Sequence, residues 1–123
     1  VAVTSARVFI IDEHEPVRRA LAERLSHADA FTVVGHTGGV SDVIDQFSKN
    51  APDVVLIEIK RTDGMGIEIL RQIADLPDAP KIVVLTSYPT AWEEKAARRA
   101  GASSYLLKDI DSEELIRHIQ DVL

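Results

Sequence analysis

The chain has no cysteine, which excludes disulfide frameworks, thiolate zinc sites and thiol nucleophiles and is compatible with a reducing cytoplasm. It has no apolar run near the roughly 20 residues that a bilayer-spanning helix needs. Its first residues lack the charged-then-apolar layout of a secretory leader. The expectation is a soluble cytoplasmic chain with no membrane partner. Excess positive charge is also missing: 14 basic side chains face 20 acidic ones, a net charge of -6, which argues against this chain gripping nucleic-acid phosphates by itself. There is no internal repeat, low-complexity tract or linker. At 123 residues and 13.5 kDa the chain fits one domain, residues 1–123, with a core large enough to stand without structural metal. The missing initiator Met leaves open a segment excised from a longer protein.

What is present alternates between two patterns. Val8 to Ile11, Phe31 to Val34, Val54 to Ile59, Ile82 to Leu85 and Tyr105 to Leu107 are short apolar runs rich in β-branched residues, the signature of buried strands. Between them lie segments of helical period: Val17, Ala20, Leu21 and Leu25; Val43, Ile44 and Phe47; Ile67, Leu70 and Ile73; Trp92, Ala96, Ala97 and Ala100; Leu115, Ile116, Ile119 and Leu123. Each carries one apolar stripe. Pro16 suits a first helical turn, Thr90 with Glu93 and Asp111 with Glu114 read as capping boxes, and Gly101 as a left-handed helix stop. Strict alternation of strand and helix predicts parallel strands joined by right-handed crossovers, with helices on both faces of one sheet.

In such a sheet the active crevice lies outside the carboxyl ends of the strands, where the strand order reverses. The candidate residues fall at those ends. Asp12 and Glu13 follow the first strand, Glu58 lies near the end of the third, and Thr86 and Lys108 end the fourth and fifth. Three carboxylates with no basic neighbour in sequence repel one another unless a lysine or a divalent cation intervenes. An oxygen-only ligand set favours Mg²⁺ over zinc. Lys108 supplies a fixed positive charge, and the Thr86 hydroxyl can donate to an anionic oxygen.

These segments together resemble the response-regulator receiver domain of two-component signalling over nearly the whole chain. Ile11-Asp12-Glu13-His14 is similar to that family's acidic pair, and Pro52-Asp53-Val54-Val55-Leu56-Ile57-Glu58 to the segment presenting its phosphoacceptor. Leu85-Thr86-Ser87 matches its switch Thr/Ser, and Gly101 to Asp109 its last strand, with an aromatic switch at Tyr105 and a lysine at Lys108. Leu107-Lys108-Asp109 looks most like receivers that precede LuxR-type helix-turn-helix output domains. The resemblance implies an α/β flavodoxin-like (βα)5 three-layer sandwich, its parallel five-stranded sheet ordered 2-1-3-4-5. It implies Mg²⁺ held by Asp12, Glu13, the acceptor side chain and the Lys60 backbone carbonyl, phosphoryl uptake from a sensor histidine kinase, and a response through Thr86 and Tyr105. It also implies a signalling protein rather than an enzyme, with homodimerisation an option and DNA reached only through an output domain.

The departure lies on the acceptor. Glu58 stands where the family has aspartate, and its extra methylene moves the carboxylate by on the order of 1 Å, which positioning-dependent chemistry tolerates poorly. The same reach brings a negative charge toward Lys108 and Thr86, as a partial mimic of a phosphoryl group that would carry more charge and a third oxygen. Lys60 is placed to compete with Lys108 for that carboxylate. Thr62 replaces a proline frequent in the family, which predicts a less rigid loop before Gly66.

Several residues carry plainer readings. Tyr105 can be a packed strand aromatic, His14 a solvated or capping residue, and Trp92 a residue packed at the start of its helix. Gly35-His36-Thr37-Gly38-Gly39 resembles a phosphate-cradling loop but lacks the Lys-Ser ending, so a turn is expected there. Two functions compete with the phosphorylated switch: a phosphorylation-independent interaction module, and a Mg²⁺-dependent phosphatase or nucleotide-binding enzyme of similar fold, for which no nucleotide loop is visible.

Overall fold

In the computed structural model, which describes residues 5–39, 41 and 43–123, five strands alternate with five helices. They run β1 (Ala6–Ile11), α1 (Glu15–Ser26), β2 (Phe31–Thr37), α2 (Val43–Asn50), β3 (Val54–Ile57), α3 (Gly66–Ala74), β4 (Lys81–Thr86), α4 (Ala91–Ala100), β5 (Ser104–Leu107) and α5 (Ser112–Val122). All neighbouring strands are parallel, in the order β2-β1-β3-β4-β5. Alternation predicts the parallel strands, and the order is that of the flavodoxin-like sandwich that the resemblance implies.

The period of two along each strand divides the core. Phe9, Ile11, Val55, Ile57 and Val84 face Phe47, Ile69, Leu70, Ile73 and Ala97 of α2, α3 and α4, while Val8, Ile10, Leu56, Val83 and Leu85 face Leu21, Leu25, Leu115 and Ile119 of α1 and α5. Both faces are covered, so the central strands β1, β3 and β4 carry nearly continuous buried apolar runs. Each fully buried Leu or Ile contributes about 1.5–3 kcal/mol of transfer free energy.

Several expected boundaries shift. β2 continues through Gly35, His36 and Thr37, paired with Phe9, Ile10 and Ile11 across a register shift, so the turn expected at Gly35 to Gly39 begins only after Thr37. β3 stops at Ile57 and Ile59 is buried outside the strand. Both capping boxes are made on one side only. Thr90 Oγ1 accepts from the Glu93 N–H (3.1 Å) and Asp111 Oδ1 from the Glu113 N–H (3.2 Å). Glu93 and Glu114 send their carboxylates elsewhere, to Lys60 and to Arg117.

Two glycines are required by position. At Gly101 the chain leaves α4 with φ +125°, a conformation that L side chains rarely adopt, and an added Cβ would lie 2.6 Å from the Ala74 Cβ. At Gly66, an added Cβ would lie 1.8 Å from the carbonyl oxygen of Ile59. The start of α3 is therefore pressed onto the segment that follows Glu58.

Candidate functional site

The register sets the site. Ile11 pairs with Ile57, and the Glu58 N–H extends the ladder to the Ile11 carbonyl (3.0 Å), so Asp12 and Glu58 leave adjacent strands side by side. Thr86 pairs with Leu107, and the Lys108 N–H donates to the Thr86 carbonyl (2.8 Å). Lys108 Nζ then lies 2.6 Å from Asp12 Oδ2 and 3.2 Å from Glu58 Oε1. The two carboxylates are almost fully buried, with 4% and 6% of their side chains exposed. One ammonium thus bridges two buried acids, a remedy for repulsion that needs good geometry to offset desolvation.

The remaining oxygens are also engaged. Glu58 Oε2 accepts the Lys60 N–H (3.1 Å) and Asp12 Oδ1 the His14 N–H (2.9 Å). His14 occupies the N-cap position of α1 without a side-chain cap bond, and its exposed ring stands 3.3 Å from Asp12 Oδ1. Glu13 is bonded to the loop that follows Glu58. Its two oxygens accept the Thr62 N–H (2.8 Å) and the Thr62 hydroxyl (2.9 Å), and these bonds hold its carboxyl below the usual carboxylate range.

The loop expected to be loose is therefore tied. Arg61, with only 3% of its side chain exposed, donates to the Gly38 carbonyl (2.8 Å) and pairs with Asp63 (3.0 Å), whose carboxyl it lowers. Lys60 does not compete for Glu58 with its side chain; its ammonium goes to the Tyr88 carbonyl and to Glu93, each at 2.6 Å. The buried Thr86 hydroxyl accepts the Tyr88 N–H (3.3 Å). Tyr105 is half-buried against the α2–α4 core face, and its hydroxyl donates to Glu93 Oε1 (2.6 Å). Burial, followed by the Glu93 hydrogen bond, pushes the phenol up to about 12. Trp92 does not pack: 78% of it is exposed, and Tyr88 is likewise 74% exposed.

Three contributors escaped the sequence reading. Arg18 donates to the Asp12 carbonyl (2.8 Å) and to His36 Nδ1 (3.1 Å), Arg24 to the Ile110 carbonyl (2.8 Å) near Lys108, and Glu93 anchors Lys60 and Tyr105. Arginines on a polar helix face give no sequence signal of this kind, and Glu93 was legible only as a cap. The site opens into a cleft of about 680 Å³ whose lining includes Glu13, Glu58, Lys60, Thr62, Tyr88 and Lys108.

A model of the response regulator receiver domain matches residues 8–120. The chain belongs to this family. The receiver is 38% identical over 117 residues to the DNA-binding transcriptional activator DevR/DosR of Mycobacterium tuberculosis, covering 94% of this chain and 54% of that protein. It is 32% identical to the transcriptional regulatory protein DesR of Bacillus subtilis over 94% of this chain and 57% of that one. The chain spans about half the length of these curated relatives. Among solved structures, a LuxR-family two-component response regulator from Aurantimonas sp. SI85-9A1 superposes with a TM-score of 0.87 at 25% identity, covering 97% of this receiver and 85% of that chain.

Receivers generally bind Mg²⁺ at the phosphorylation site. Of the set expected here, Asp12 and Glu58 are brought together and share Lys108, while Glu13 is held by Thr62. Among the described residues no three acidic or histidine side chains are gathered closely enough to hold a metal ion. As arranged, Lys108 supplies the positive charge that Asp12 and Glu58 share. Among the described residues, no helix is long and apolar enough to cross a membrane.

Proposed function

We propose that this response-regulator receiver works in two-component signalling in a state set by Glu58 and Lys108 rather than by transient phosphorylation. The observation that carries the reading is the Lys108 ammonium, shared between Glu58 Oε1 (3.2 Å) and Asp12 Oδ2 (2.6 Å). In a phosphorylated receiver this lysine would face a phosphoryl oxygen. Here a carboxylate already occupies it, with a fraction of the charge and no third oxygen. Glu58 is thus a partial phosphoryl mimic that engages the lysine, while the Thr86 hydroxyl stays with Tyr88. The partners this implies are a sensor kinase or another signalling protein, a second copy of the chain, and DNA through an output domain of the LuxR type.

A second reading, an interaction module whose pocket serves only stability, is favoured by that same Thr86–Tyr88 bond. Incubation with Mg²⁺ and a small phosphodonor, followed by intact mass, tests the proposal. The expected product is unmodified protein, and a stable adduct on Glu58 would overturn it. Replacement Glu58→Gln then separates the two readings. A changed oligomeric state or changed α4 amide resonances supports the state-setting role; no change beyond Glu58 itself leaves the interaction module.

A further inference from the structure

Lys60 touches the site twice. Its backbone N–H donates to Glu58 Oε2 (3.1 Å), and its ammonium crosses the cleft to the Tyr88 carbonyl (2.6 Å) and Glu93 Oε2 (2.6 Å). The other Glu93 oxygen accepts the Tyr105 hydroxyl (2.6 Å), and the Tyr105 oxygen accepts the Thr90 N–H (3.2 Å). Thr90 Oγ1 completes a ring by accepting the Glu93 N–H (3.1 Å). In a full capping box the Glu93 carboxylate would take the Thr90 N–H itself. Here the tyrosine hydroxyl takes that place, which frees the carboxylate to hold Lys60. The first turn of α4 is therefore seated on β5 through Tyr105 and on the loop after β3 through Lys60.

The bonds in this ring are of the strong kind. The Lys60–Glu93 and Tyr105–Glu93 contacts are short and charge-assisted, the Glu93 side chain is only 13% exposed, and the positive end of α4 further favours a carboxylate there. Lys60 is thus bonded to Glu58 through its backbone and to Glu93 through its ammonium. The Thr86 hydroxyl accepts the N–H of Tyr88, whose carbonyl Lys60 takes, and makes no bond to Glu93, Tyr105 or Thr90 among those described.

We infer that Lys60 and Glu93 are positioning residues that carry the state of Glu58 to the first turn of α4 by way of Tyr105, bypassing the Thr86 hydroxyl. The inference rests on the reading of Glu58 as the state-setting group.

The test uses backbone amide NMR of the whole chain. Glu58→Gln is expected to shift the resonances of Ala91–Ala100, and that shift is expected to disappear when Glu58→Gln is made in a Lys60→Met or a Glu93→Gln background. It should persist with Lys95→Met, which removes an exposed α4 lysine outside the ring. Shifts that persist in both Lys60→Met and Glu93→Gln overturn the inference, as does a loss seen with Thr86→Ala but not with Lys60→Met. Two variants are used so that poor folding of one does not decide the result. A second readout is the Tyr105 phenol, which should ionise below about 12 once Glu93→Gln removes the carboxylate beside it. An unmoved phenol would mean that the Tyr105–Glu93 contact is not made and would overturn the inference. A phosphoryl adduct on Glu58 would sink the proposed function and leave the NMR result standing; absent relay without an adduct sinks only the relay.

Discussion

At the residue scale the decisive group is Lys108. With 19% of its side chain exposed, it serves two carboxylates that are 4% and 6% exposed, so its removal leaves buried charge without a partner. Breaking a buried ion pair costs roughly 3–5 kcal/mol, and partial solvent access brings the expectation for Lys108→Ala to the lower end, about 3 kcal/mol. Lys60→Met, at a lysine 36% exposed, should cost less than Lys108→Ala. Urea denaturation of both variants checks the order, and equal midpoints would remove Lys108 from its central place. The sequence made Asp12, Glu58 and Lys108 legible because strand ends and a motif fix where they emerge. It did not make Glu13's direction legible, because that depends on Thr62, 49 positions away, supplying two donors where a proline would supply none.

At the scale of elements, the strands and helices follow from periodicity, and the errors gather where tertiary pairing overrides local signals. β2 runs on through Gly35 because pairing with β1 supplies what a glycine cannot. The capping boxes were half right since a Glu at the third helical position has other partners within reach: Lys60 for Glu93 and Arg117 for Glu114. The juncture between the Glu58 loop and α3 makes the sharpest prediction. An added Cβ at Gly66 would meet the Ile59 carbonyl oxygen at 1.8 Å, and that oxygen is backbone, so either the helix or the loop must move. Gly66→Ala should destabilise by about 3 kcal/mol, at the upper end of ordinary substitutions, and should disturb the Lys60 contacts. A denaturation midpoint within error of the parent would show that the loop yields freely.

For the whole molecule, stability should depend on pH at both ends. Glu13 and Asp63 have folded-state pKa values below their usual ones, through Thr62 and Arg61 respectively. Their contribution is therefore complete above the unfolded carboxylate range and fades as pH falls through the folded values. Tyr105 behaves in the opposite sense. Its phenol is raised from 10.0 to about 12, so its contribution is complete below the unfolded value and is lost as pH rises from 10.0 toward about 12. Thermal melts across pH should fall at both extremes, and Tyr105→Phe should flatten the part of the alkaline fall that belongs to this phenol. An alkaline limb unchanged in that variant would contradict the raised phenol of the folded state. The parallel pairing and the two-faced core were legible from alternation and the sheet order from the family resemblance, whereas the placement of Trp92 was not. An apolar stripe on α4 suggested packing, yet the indole stands in water. Since the chain has one tryptophan, its fluorescence has a single source, and that source lies on one patch of one helix. Its emission colour and its access to a dissolved quencher therefore act as a built-in optical gauge of whether anything lies over the start of α4, with no label attached.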